Sequence, residues 1–94
     1  MSKRSRIVNA DTPDGEMAGE AIVEVVENQI REHNPSEVAV TFRRLMNEGQ
    51  SREESVRLIA CALIVEVFGM LKHHEPFNEQ RYIENLRRLP EPPT

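Results

Sequence analysis

Sulfur chemistry and aromatic bulk are nearly missing from this chain. One cysteine, three Phe, one Tyr and no Trp stand among 94 residues. A single Cys61 excludes an internal disulfide and any zinc site built on cysteines. Lying amid apolar neighbours, it is expected to act as a small buried hydrophobe. With so few rings, the core falls to Val, Ile, Leu and Met. Only four glycines are present, and they are scattered, so no Gly-rich phosphate loop exists. There is no period-two alternation and no Asn-Gly or Asp-Gly turn between β-branched runs, which argues against hairpins. No apolar h-region follows Met1–Arg6, so a reducing, cytoplasmic setting is expected.

Basic charge is also short away from the start of the chain. Lys3, Arg4 and Arg6 take three of the twelve basic residues, leaving nine against sixteen acidic ones. Nucleic-acid binding needs clustered Lys and Arg to displace counterions, so an acidic body is expected to bind no nucleic acid. Residues 1–13 are expected to be a disordered basic N-terminal arm.

What the chain does have is one stretch apolar on every side, Leu58–Val65, continuing past Glu66 to Leu71. At ~100° per residue, Ile59, Leu63 and Met70 share one face and Leu58 and Val65 the opposite one, with Cys61, Ile64 and Phe68 between. The uninterrupted run is eight residues, far below the ~20 needed to span a membrane. A helix apolar all round must be covered, so it is expected to form the buried centre of the fold.

The other elements follow from local signals. A first helix is expected from Glu16 to Glu32, with Ala18, Ile22, Val25, Val26 and Ile30 on its apolar arc and Gln29 and His33 intruding on it. Asn34-Pro35-Ser36-Glu37 can open a second helix, with Asn34 as cap and Pro35 at the first helical position. That helix is expected to bury Val38, Phe42, Leu45 and Met46 and to end at Gly49. Ser51-Arg-Glu-Glu54 is a capping box for the central helix, which His73, His74 and Pro76 close after about 22 residues. Asn78 can cap the last helix, with Phe77 and Tyr82 as a hydrophobic staple and Tyr82, Ile83, Leu86 and Leu89 as its stripe. Ala62 and Gly69 lie on one side of the central helix, where a neighbouring helix can come close. The expected fold is an all-α, compact four-helix bundle over residues 14–89, with a buried apolar third helix and a Pro-rich tail at 90–94.

Catalytic and metal signals are thin. His73-His74-Glu75 resembles a ligand cluster, but adjacent helical side chains diverge by ~100° and do not converge on one ion. As cations at a helix C-terminus they answer its exposed carbonyls. The turn at Leu45–Ser51 has helix-turn-helix spacing, yet the following helix is too apolar to lie in a groove. It also resembles small three-helix ubiquitin-binding domains, with Gln50 where they carry a hydrophobic residue. No catalytic, metal or cofactor residue is assigned.

Three polar residues conflict with the apolar pattern, Gln29, Arg57 and Glu66, and together with Glu27, at the edge of the first helix's apolar arc, they make the candidate site. Arg57 shares the angle of Ile64 and Phe68, and Glu66 is flanked by Ile59, Ala62 and Leu63. Buried charges need partners. Glu24 or Glu27 is expected for Arg57, and Arg43 or Arg44 for Glu66.

Val26-Glu-Asn-Gln-Ile30, Arg44-Leu45, Glu48-Gly49, Arg52 and the helix from Ser55 resemble a widespread bacterial family of small helical domains of unassigned function, some standing alone and some fused to longer chains. The resemblance spans about residues 20–89 and matches at Glu27, Asn28, Gln29 and Arg52. The family favours histidines at the positions of Val23, Glu53 and Arg57, so any metal or acid–base role of those histidines is expected to be lost here. The expected function is a non-enzymatic cytoplasmic interaction domain, contacting a protein partner or forming a homo-oligomer. The alternative is a small-molecule or metal-binding domain centred on the polar cluster.

Overall fold

Local capping decides where each helix begins and ends. The computed structural model describes residues 14–92, with side-chain surroundings from residue 19 onward. Four helices follow in order: α1 (Asp14–Glu32), α2 (Ser36–Asn47), α3 (Arg52–His73) and α4 (Glu79–Arg88). The expected arm at 1–13 lies outside the described residues, as do the last two residues of the tail.

At the end of α1 the backbone turns left-handed at His33, with φ 54°. The N–H of His33 then returns to the Ile30 carbonyl and that of Asn34 to Gln29, the paired closure of a Schellman motif. His33 therefore leaves the helix instead of entering its apolar arc. Because Asn34 is drawn into closing α1, the start of α2 moves one residue on. Pro35 is the N-cap in an extended conformation and no side chain caps the helix. The same closure recurs after α2, where Gly49 N–H meets Met46 and Gln50 N–H meets Leu45. Gly49 sits there at φ 106°, a backbone shape that side chains with a Cβ rarely adopt.

Ser51 accepts the Glu54 N–H at 3.0 Å and opens α3, one half of the expected capping box, while the Glu54 carboxylate pairs with Arg57. The Asn78 side chain accepts from the Arg81 N–H at 3.0 Å and opens α4. The Phe77 and Tyr82 rings meet edge to face across that cap, centroids 5.7 Å apart.

The core joins Val26 of α1, Val38 and Leu45 of α2, Val56, Ile59, Ala62 and Leu63 of α3, and Tyr82 and Leu86 of α4. Both α2 and α3 touch all three other helices. Met46, Val25 and Met70, expected inside, are exposed, at 42%, 43% and 44%. α3 is central but sealed along one face only: Cys61 is exposed, Phe68 is 58% exposed and Leu71 70%. Beside Gly69 there is no close helix backbone. A Cβ there would meet Glu75 Oε1 at 3.3 Å and Arg81 Nη2 at 3.6 Å. Among the described residues no helix is long and apolar enough to cross a membrane.

Candidate functional site

The four polar residues of the expected cluster do not assemble into one pocket. Each finds its own partner, and three of the resulting contacts tie one helix to another.

Glu66 is the most enclosed. Its side chain is 0% exposed, yet it accepts Arg81 Nε at 2.6 Å, Arg81 Nη2 at 3.1 Å and the Asn78 N–H at 3.0 Å. One carboxylate thus fixes the N-terminus of α4 against α3, where a negative charge suits the helix dipole. Arg81's two-point hydrogen bonding, with help from the Asn78 N–H, holds the Glu66 carboxyl below its ordinary value of 4.5 despite burial. The expected partners were Arg43 or Arg44. Arg44 instead donates to the carbonyls of Leu86 at 3.0 Å and Leu89 at 2.9 Å, satisfying the end of α4, and pairs with Glu48 at 3.1 Å.

Glu27 lies nearer the rim. Arg52 grips it bidentately, Nη1 to Oε2 at 3.0 Å and Nη2 to Oε1 at 2.8 Å, and these bonds lower its carboxyl below the ordinary value. The Arg52 guanidinium also lies 5.6 Å from the centre of the Phe42 ring, a cation–π distance. Three helices meet at that one side chain. Glu27 and Arg52 are therefore the two halves of one clamp. Asn28 accepts a hydrogen bond from Arg31 on its own helix.

Gln29 intrudes on the apolar arc for a structural reason: the buried Tyr82 hydroxyl donates to its Oε1 at 2.7 Å. Burial pushes the Tyr82 phenol well above its ordinary value. This bond crosses between α1 and α4, which are not backbone neighbours.

Arg57 corrects the expectation of a buried pair with Glu24 or Glu27. Its side chain is 70% exposed and pairs with Glu54, one turn back, at 3.1 Å. The angle it shares with Ile64 and Phe68 is the open face of α3, so the expected face is right and its burial is not. Beside Arg57 on that face stand Cys61, Phe68 and Leu71, uncovered by the described residues. Sequence periodicity cannot separate this face from the sealed one, because both are apolar.

A hollow of about 320 Å³ lies between α1 and α2, lined by Ile30, His33, Ala39, Phe42 and Met46. Another of similar size is lined by polar residues of α4. No group of three or more His, Cys, Asp or Glu among the described residues is placed to hold a metal ion.

The chain matches no protein-family model, no curated protein and no solved structure.

Proposed function

We propose that the chain is a non-enzymatic protein-interaction domain that presents the outer face of α3 to another polypeptide. The observation that carries this is Phe68 and Leu71, 58% and 70% exposed one turn apart on one helix. Exposed apolar side chains grouped on one face mark contact sites more often than single scattered ones do. A second support comes from the polar side: Glu27, Gln29 and Glu66 are each engaged by another helix, which favours a structural over a ligand-binding role for them. A bacterial, cytoplasmic setting belongs to the same proposal. A lone exposed thiol suits a reducing compartment, and the bacterial source rests on the resemblance.

A photo-reactive residue placed at Phe68 in the living host tests the reading. Discrete adducts are expected from that position, and none from the exposed polar Gln80. No adduct at Phe68, or equal labelling at both sites, overturns the proposal.

A further inference from the structure

The open face of α3 carries a pattern that fits itself. Six residues, Glu54, Leu58, Cys61, Val65, Phe68 and Lys72, follow one another at steps of four, three, four, three and four. That alternation is the heptad seam of helix-on-helix packing. All six are exposed or half-buried, with Glu54 40% open and Phe68 58%. Other exposed apolar residues form no such seam. Val40 and Met46 of α2, and Val23 and Val25 of α1, lie well over 90° apart around their helices at ~100° per residue.

Resting on the interaction reading above, we propose that the occupant of this face is a second copy of the chain, with α3 packed antiparallel on α3 about a two-fold axis beside residue 63. In that register Leu58 packs on Phe68 of the second copy and Cys61 on Val65 of the second copy. At the two ends Glu54 faces Lys72 of the second copy, and the symmetry repeats every contact. On the flank, Arg57 lays its alkyl stem along Leu71 of the second copy while Ile64 lies beside the axis. A two-fold interface must be self-complementary, and this seam is: apolar residues meet apolar ones and opposite charges meet at both ends. Parallel packing would instead set Glu54 against Glu54 and Lys72 against Lys72, so charge selects the antiparallel arrangement. The face is also nearly balanced in charge, with Glu54 against Arg57 and Lys72, although the chain carries a net charge of −4. Two acidic molecules can therefore meet here with little repulsion.

Sedimentation of the full chain across a concentration series tests this. Mass should rise from 10.8 kDa toward twice that value, and Phe68→Glu should abolish the rise while leaving helical circular dichroism unchanged. If Phe68→Glu perturbs the fold, Leu71→Lys, more exposed still, should have the same effect. Glu54→Lys and Lys72→Glu should each weaken association severalfold, and the two together on one chain should restore it. Three results overturn the proposal: a wild-type chain still monomeric at about 1 mM, a dimer indifferent to Phe68→Glu and Leu71→Lys, or a charge exchange that fails to restore binding. A monomeric chain that still yields foreign adducts from the probe at Phe68 overturns self-pairing and leaves the interaction reading standing; a monomeric chain with no adduct overturns both.

Discussion

The two faces of α3 have nearly the same composition and opposite surroundings. One face sets Val56, Ile59, Ala62 and Leu63 against three other helices and encloses even the charge of Glu66. On the other, Cys61, Phe68 and Leu71 stand in the open. Placement explains the difference. The core residues of α1, α2 and α4 all gather on the side of α3 that carries Val56, Ile59, Ala62 and Leu63. Among the described residues, three helices packed on one side leave the other uncovered. Apolar periodicity reports what a residue prefers; the number and placement of neighbours decide whether that preference is met.

The comparison can be broken most forcefully from inside. Leu63→Ala should cost about 2–5 kcal/mol in urea unfolding, the range for truncating a buried leucine. A loss under about 1 kcal/mol would mean that this face is not the core.

Glu66→Gln should follow, losing about 1.5–3 kcal/mol as its charge-assisted hydrogen bonds weaken inside the fold. Glu27→Gln, at the rim, should cost under about 1 kcal/mol, the usual worth of a solvated pair. Equal losses would remove the distinction between the enclosed clamp and the exposed one.

Acid should act through the same two carboxylates. Both are held below the ordinary glutamate value of 4.5, so folding favours their ionised forms. Their stabilisation is fully present above that value and is lost as pH falls through their lowered folded-state values. Thermal midpoints should therefore drop on acidification below about pH 4.5, and Glu66→Gln should flatten that drop. An unchanged acid limb in Glu66→Gln would show that Glu66 is not held ionised by folding.

Smallest of all should be Leu71→Ala, within about 0.5 kcal/mol in dilute protein, as for surface sites generally. A loss like that of Leu63→Ala would show that the outer face is already covered within one chain.

Signals that act over three or four residues are legible in the sequence alone. Ser51 with Glu54, Gly49 after α2, and Asn78 with the Phe77–Tyr82 staple all do locally what their chemistry requires. The all-α bundle and the central place of α3 follow from the same pattern. Two of the candidate site's polar outliers, Gln29 and Glu66, do take partners from other helices, as polar groups on an apolar face must. Which partners they take is not legible, because pairing across the bundle depends on how helices lie against one another. Arg81 lies 15 residues beyond Glu66 and Arg52 lies 25 beyond Glu27, and nothing local marks either link. Arg57 shows the complementary failure, an angle correctly placed among Ile64 and Phe68 on a face that the described residues leave exposed.

Cys61 offers the most direct test, since it is the only thiol in the chain and sits inside the eight-residue apolar run. Pattern alone would bury it, whereas the packing of α3 leaves it exposed. Its rate of reaction with a small thiol reagent, measured on folded protein in dilution where copies separate, should approach the rate in concentrated urea. Protection of roughly a hundredfold or more, the behaviour of a group reached only by unfolding, would contradict an open outer face on α3.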